Sequence, residues 1–146
     1  MIKLLARLGF NPRAVLYNSA VSARQHEAIG YPANKTVLVP NGFDPARFAP
    51  SEEARISVRE ELGLPRDTVL IGRFGRHSAM KDYPTFVAAM KLVPGAHALI
   101  AGTGTQELTA LTAGDANLAA RIHFLGERMD LPRLTAAVSL LALPAV

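Results

Sequence analysis

The stretch that decides the fold is VLIGRFGRHSAMK, residues 69–81. It opens with a short and mostly apolar run, Val69–Phe74, which is typical of a buried strand. A loop opened by a glycine follows, and it carries two cations, Arg76 and Lys81. Asp82 comes next and is predicted to cap a helix, because its side chain can accept a hydrogen bond from the first helical turn.

A strand that runs into a loop and then into a helix is where α/β proteins commonly bind anions. Free backbone N–H groups and the positive end of the helix dipole both point towards such a loop. Two cations at that point suit a diphosphate, and we therefore predict a diphosphate site at Arg76 and Lys81. The alternative is that both are ordinary solvated charges, since a basic residue in such a loop is common.

Apolar runs alternate with helical patterns along the rest of the chain. Strands are predicted at residues 14–17, 36–39, 69–74, 98–101, 122–125 and 140–143. Helices are predicted at residues 1–8, from a cap at Asn18 or Ser19 to about 29, from Ser51 to 62, and at 83–93, 106–113 and 131–138. Short apolar strands alternating with helices predict an α/β fold with a Rossmann-like parallel sheet covered on both faces. The last strand, with its leucines, is expected to leave a bare apolar face that makes the chain self-associate.

Composition excludes several classes of function. The chain has 146 residues, of which 49% are hydrophobic, and this is enough for a packed core. The net charge of +4 is spread among acidic residues rather than clustered, so a nucleic-acid interface is not indicated. There is no cysteine, which excludes disulfides and thiolate chemistry and fits a reducing compartment. No apolar run is long enough to span a membrane, and no signal peptide is indicated.

Two further loops are predicted to reach the same edge of the sheet as Arg76 and Lys81. Gly102 and Gly104 follow one strand, and Arg128 follows the next, shortly after that strand ends. Ligands of open parallel sheets bind at the carboxyl ends of the strands, so the three loops are expected to form one site. The alternatives are a glycine-rich turn that only reverses the chain and an ordinary surface pair of Glu127 with Arg128.

Other motifs limit the chemistry. The third glycine of a dinucleotide fingerprint is replaced by Glu107, which argues against an NAD or FAD site. No histidine has the helical partner of a metal site, so no metal is expected, although His77 lies inside the basic loop. His97 and His123 lie at strand starts and are interpreted as packing or edge residues. Neither a G-x-S-x-G elbow nor a P-loop is present.

Five segments follow one another along the sequence. They are residues 39–44 (VPNGFD) with Phe48 and Pro50, residues 61–65 (ELGLP), Gly75-Arg76 with Lys81-Asp82, residues 101–104 (AGTG) and residues 122–126 (IHFLG). In order and spacing, these segments resemble the retaining glycosyltransferases of family 4, the group 1 glycosyltransferases with the two-domain GT-B fold. The resemblance implies that residues 1–40 are the tail of an N-terminal GT-B domain. Residues 41–50 would then cross between domains, and residues 51–146 would form part of the C-terminal nucleotide-sugar-binding domain.

The resemblance also assigns roles to the loop residues. Gly75, Arg76 and Lys81 would bind the donor diphosphate, with the two cations stabilising the leaving group without a metal or other cofactor. A site beside the nucleotide would be formed by the other loop residues, namely Gly102, Gly104, Arg128 and Met129. The substrate would be a UDP- or GDP-sugar.

The implied function is transfer of a sugar, with its anomeric configuration retained, to a polysaccharide or glycolipid acceptor in the cytoplasm, with loose association to the inner face of the membrane. The family's full N-terminal domain and its pair of glutamates after the last strand are not found in this sequence, so a fragment without catalytic residues of its own is expected. One alternative is a non-catalytic nucleotide- or partner-binding remnant that needs a second chain. Another is an unrelated α/β fold with a coincidental basic loop.

Overall fold

The computed structural model of the chain describes residues 12–42 and 44–144. The chain divides into two compact units, Met1–Asp44 and Pro45–Val146, so the division falls inside the segment 41–50 that was predicted to cross between domains. The helix predicted at residues 1–8 lies outside the described residues.

The first unit is a small β–α–β arrangement. Strand β1 (Val15–Tyr17) is followed by helix α1 (Ala20–Glu27), and strand β2 (Thr36–Leu38) pairs with β1 in parallel. Helix α1 begins where predicted, because the Ser19 hydroxyl accepts a hydrogen bond from the Ser22 N–H at 3.2 Å. Strands β1 and β2 lie within the ranges predicted for them, residues 14–17 and 36–39, so both predictions are confirmed.

The second unit contains the larger sheet. Its elements are α2 (Glu52–Glu61), β3 (Val69–Phe74), a 3-10 turn (Ala79–Lys81), α3 (Tyr83–Met90), β4 (Ala96–Ala101), a 3-10 helix (Thr105–Thr112), α4 (Ala116–Arg121), β5 (Ile122–Gly126), α5 (Leu131–Ala137) and β6 (Leu140–Leu141). The strand order is β5-β4-β3-β6, and every neighbouring pair is parallel. The predicted Rossmann-like parallel sheet is thus confirmed, and its strand order reverses beside β3, which is where such sheets bind ligands.

Each face of this sheet has its own apolar core. On one face, α3 packs Phe86, Val87 and Met90 with Leu118 of α4 against the strands. On the other face, side chains of α2 and α5 pack against β3 and β4; this cluster comprises Val58, Leu70, Leu99, Ala101, Leu134 and Ala137. The predicted coverage of both faces is therefore observed.

The region between β4 and β5 differs from the prediction. In place of the α-helix expected at residues 106–113, a 3-10 helix begins directly after Gly104, whose φ is 78°. A further helix, α4, was missed; it begins because the Asp115 carboxylate accepts a hydrogen bond from the Leu118 N–H at 2.9 Å. Gly114, with a φ of 82°, separates the two helices, and the Gly114-Asp115 pair was the available signal.

Three buried arginines were also not anticipated. Arg59, Arg73 and Arg121 lie within the second unit, and their guanidinium groups donate mainly to backbone carbonyl oxygens. Arg59, for example, donates to the oxygens of Thr68 and Ala137 and so joins the chain before β3 to the end of α5. Within residues 12–42 and 44–144, none of the three makes an ion pair. Their role is to satisfy carbonyl groups where elements end.

The central strand β4 allows a matched test of the core. Leu99 is fully buried, and Leu92 is 84% exposed after α3. Replacing Leu99 with alanine should lower the free energy of unfolding by about 2–5 kcal/mol, because it leaves a cavity. Leu92→Ala should change it by less than about 0.5 kcal/mol. Urea denaturation followed by circular dichroism measures both, and equal effects would show that the core is placed incorrectly.

A histidine pair joins β4 to β5. Nδ1 of His97 lies 3.1 Å from Nε2 of His123, and the two rings are stacked with centroids 5.3 Å apart. One of these nitrogens must accept the hydrogen bond, so the pair cannot be doubly protonated without losing it. Burial lowers the pKa of both imidazoles; Arg121 lowers the pKa of His97 further, and His97 does the same for His123.

The pair predicts a pH dependence of stability. The pKa values of the two imidazoles are lower in the folded chain than in the unfolded chain. At pH values between the folded and unfolded pKa values, the unfolded chain therefore binds more protons. Stability should therefore be complete above about pH 6.5 and fall as the pH drops through the folded pKa values. Unfolding free energies of the native chain at pH 7.5 and 5.5 should differ more than those of a His97→Gln, His123→Gln double variant. An equal pH dependence in both proteins would contradict the role of this pair.

Candidate functional site

Three loops meet at the carboxyl edge of the larger sheet, after β3, β4 and β5. Backbone hydrogen bonds join them directly. They run from Gly75 N–H to Ala101 O (2.8 Å), from His77 N–H to Thr103 O (2.8 Å) and from Gly102 N–H to Gly126 O (2.6 Å). The predicted convergence of the loops is therefore observed, and the candidate site is one connected layer of backbone.

This layer depends on the absence of a side chain at Gly102. A Cβ atom there would lie 2.1 Å from the carbonyl oxygen of Gly75 and 2.9 Å from the nitrogen of Arg76. The φ of Gly102 is also 145°, which side-chain-bearing residues rarely adopt. Gly104 begins the 3-10 helix beside His77. Gly102 thus serves contact between loops, a role that was not predicted, while contact of Gly102 and Gly104 with a ligand stays a prediction.

The two cations of the loop after β3 keep their charge available. The Arg76 side chain is exposed and that of Lys81 is half-buried. Within the described parts of the chain, neither side chain makes an ion pair or a hydrogen bond. Because no carboxylate neutralises them, they can bind an anion from solution. Gly75, where the loop starts, is half-buried beside the methylene stem of Lys81.

The start of helix α3 adds less to anion binding than the sequence suggested. Asp82 caps the helix as predicted, and its carboxylate accepts a hydrogen bond from the Thr85 N–H at 3.3 Å. It holds a left-handed conformation, with a φ of 43°. A carboxylate already lies at this helix end and would repel an anion. Anion binding at this loop therefore rests on Arg76 and Lys81 more than on the helix dipole.

Arg73 lies beneath the loop and is only 1% exposed. Its Nη2 donates to the carbonyl oxygen of Lys81 at 2.5 Å and to that of Pro144 at 3.0 Å. Its guanidinium carbon lies 4.9 Å from the centroid of the Tyr83 ring, and the Tyr83 hydroxyl donates to Gly75 O. Sequence reasoning missed this residue, although an arginine within an apolar strand was a visible signal.

The side chain of Arg128 is engaged in a cluster of four charges. It donates to Glu61 Oε1 at 2.7 Å and to both carboxylate oxygens of Asp130 at 2.8 Å, and Arg133 contacts the same two acids. The alternative of a Glu127–Arg128 surface pair is therefore wrong, because Arg128 pairs across to α2 instead. Hydrogen bonds from the two arginines hold the pKa values of Asp130 and Glu61 below their ordinary values, and the bond from Arg128 is the largest cause for each.

The cluster fixes the loop that follows β5. Arg128 is 24% exposed, whereas the neighbouring Met129 is 90% exposed. The guanidinium of Arg128 is therefore occupied, while the side chains of Glu127 and Met129 face the solvent. The location of Arg128 and Met129 beside the nucleotide stays a prediction.

His77 is the histidine of the cationic loop, and its nearest acidic partner is Glu107. His77 lies 3.7 Å from the Glu107 carboxylate, and both side chains are solvent-exposed. Across residues 12–42 and 44–144, no group of three or more histidine, aspartate or glutamate side chains could hold a metal ion. In the same part of the chain, no helix has both the length and the apolar character needed to cross a bilayer.

The fold of the chain is shared with a known class of protein. The α/β architecture with parallel sheets matches that of GT-B glycosyltransferases, and similarity in sequence and structure supports a glycosyltransferase family for this chain. No protein-family model matches the chain.

Three relatives illustrate the similarity. The chain is 30% identical over 120 residues to the Escherichia coli UDP-Gal:alpha-D-GlcNAc-diphosphoundecaprenol alpha-1,3-galactosyltransferase. The aligned region covers 77% of this chain and 31% of that protein. Anabaena HepE, solved in complex with UDP-glucose, superposes with a TM-score of 0.83 and 27% identity, over 99% of this chain and 42% of HepE. Sucrose-phosphate synthase from Thermosynechococcus elongatus has the same fold, with a TM-score of 0.79 and 24% identity over 99% of this chain and 38% of the synthase.

The chain therefore spans about a third of the curated relative's length and about two fifths of the length of the solved structures.

The contact at Gly102 gives a direct test of the site geometry. Gly102→Ala should lower the free energy of unfolding by about 3 kcal/mol, because the new methyl group meets the Gly75 carbonyl and the backbone is strained. Gly95→Ala is the matched control, since a Cβ there would meet no atom within 4 Å. Thermal denaturation of both variants measures the difference. A Gly102→Ala variant that melted at the same temperature as the native chain would contradict the geometry.

Proposed function

We propose that this chain contributes the donor diphosphate site of a nucleotide-sugar-dependent glycosyltransferase. Arg76 and Lys81 bind the diphosphate, and the backbone at Gly75, Gly102 and Gly104 lies against the donor. The loop at 128–129 borders the nucleobase. A UDP- or GDP-sugar is the substrate, and the two cations stabilise the charge that develops on the leaving diphosphate, so the step needs no metal.

One observation carries the proposal. The loop after β3 lies where the strand order reverses, and it holds two cations that no carboxylate neutralises within the described residues. Diphosphates bind at such loops because opposite charge and backbone donors are concentrated there. Support comes from HepE, which shares this fold and was crystallised with UDP-glucose and with UDP.

The finer features of the function follow the sequence resemblance. We place the protein with the retaining group 1 glycosyltransferases of family 4, acting on a polysaccharide or glycolipid acceptor in the cytoplasm. The relative from Escherichia coli acts on a diphosphoundecaprenol-linked substrate, which supports a lipid-linked acceptor and work at the inner face of the membrane.

A second candidate is a nucleotide- or partner-binding chain that acts together with another chain. It is favoured by one observation, the exposure of Leu140, Leu141 and Leu143 at and after β6. Exposed leucines grouped on a strand are typical of a surface that another protein covers. Light scattering at increasing concentration distinguishes self-association from a strictly monomeric state. A strictly monomeric chain would argue against this candidate.

The diphosphate site can be tested by calorimetric titration with UDP and GDP. An Arg76→Ala, Lys81→Ala variant should lose on the order of 3 kcal/mol of binding free energy, because two charge-assisted contacts disappear. This corresponds to a dissociation constant raised by more than roughly 100-fold.

The matched control removes the same number of charges elsewhere. Arg66 precedes β3 and Lys91 follows α3, so both lie towards the amino edge of the sheet, and both are exposed. An Arg66→Ala, Lys91→Ala variant should bind UDP as the native chain does. Equal losses in the two variants would mean that net charge alone attracts the nucleotide, and absence of binding by a folded native chain would reject the proposed function.

A further inference from the structure

The buried side chain of Arg73 joins three segments of the candidate site. It lies in β3 and donates to Lys81 O, at the end of the cationic loop, and to Pro144 O, in the segment after β6. The strand order reverses between β3 and β6, so these two carbonyls lie on the two sides of that point. One guanidinium therefore fixes the loop relative to the neighbouring strand.

Tyr83 holds the other end of the same loop. Its hydroxyl donates to Gly75 O, its ring packs against the Arg73 guanidinium, and it is 1% exposed. A Cβ at Gly75 would lie 3.8 Å from each of three atoms: Arg73 Nη1, Tyr83 Oη and Lys81 Cε. The first and last residues of the loop are thus held by one packed pair, while Arg76 between them stays exposed.

Among the residues that the structure describes, no carboxylate neutralises the charge of Arg73. Within that same part of the chain, Arg73 makes no ion pair, and its Nε has no hydrogen-bond partner. A buried cation without a counterion raises the positive potential of the loop above it, because the interior screens charge poorly. The arrangement favours an anion at the loop in addition to fixing its shape.

We propose that Arg73, packed on Tyr83, is the positioning residue of the diphosphate loop. It holds residues 75–81 in the conformation in which Arg76 and Lys81 point to a common ligand, and it adds a buried positive charge beneath them. This inference rests on the proposed function for its ligand, but the restraint on the loop can be measured separately. A loop already held in its binding conformation loses less entropy when the ligand arrives.

The experiment compares Arg73→Met with Arg59→Met in the full chain. Both arginines are 1% exposed and both donate to backbone carbonyls. Arg59 lies away from the loop, in α2, and its guanidinium contacts Thr68 O and Ala137 O at the end of α5. Hydrogen exchange of residues 75–82 and calorimetric titration with UDP are measured on each. Arg73→Met should raise exchange in this loop about tenfold and weaken UDP binding about tenfold. Arg59→Met should lower the melting temperature without either effect.

Two milder variants keep the test decisive if Arg73→Met does not fold. Arg73→Lys keeps the charge, and Tyr83→Phe removes only the hydrogen bond to Gly75. Each should produce the same localised increase in exchange, at a smaller size. If neither differs from Arg59→Met in the exchange of residues 75–82, the inference is wrong.

Failure of the inference differs from failure of the proposed function. If the native chain binds UDP and Arg73→Met binds it equally well, Arg73 is not a positioning residue, and the diphosphate site stands. If the native chain does not bind UDP but the loop opens only in the Arg73 and Tyr83 variants, Arg73 does position the loop, and the proposed ligand is wrong.

Discussion

The close approach of Gly102 to the peptide between Gly75 and Arg76 is the constraint on which the site depends. Two loops from neighbouring strands can share a hydrogen-bonded layer only if one of them has no side chain at the contact. The parallel register of β3 with β4 brings Phe74 opposite Ala101 and so ends both strands at the same level. Register, glycine and loop contact together decide where Arg76 is presented.

Buried arginines stabilise the ends of several elements in this fold. A carbonyl left without a donor in the interior costs about 1–3 kcal/mol, and a guanidinium with several N–H groups can satisfy two or three carbonyls at once. Arg59 and Arg121 do so away from the candidate site, at the chain before β3 and at the chain between α3 and β4. Arg73 does the same within the site, where stability and ligand positioning use the same contacts.

Much of the fold could be predicted from local sequence, and part of the site could not. Apolar runs and capping residues such as Ser51 are local signals, so strands and most helix starts were correct. The 3-10 helix after Gly104 escaped because its apolar spacing resembles that of an α-helix. Arg73 and Arg76 are chemically identical and three positions apart, and only tertiary packing makes one buried and the other exposed. The pairing of Arg128 with Glu61 likewise joins residues far apart in sequence.

Position 82 carries two demands that few amino acids meet together. The residue there must hold a left-handed backbone, with a φ of 43°, and its side chain must also accept the Thr85 N–H at the start of α3. Asparagine and aspartate are favoured in that conformation and as helix caps, whereas glycine meets only the first demand fully and serine only the second. The set of tolerated substitutions is therefore narrower here than at most solvent-accessible positions, for reasons of backbone geometry alone.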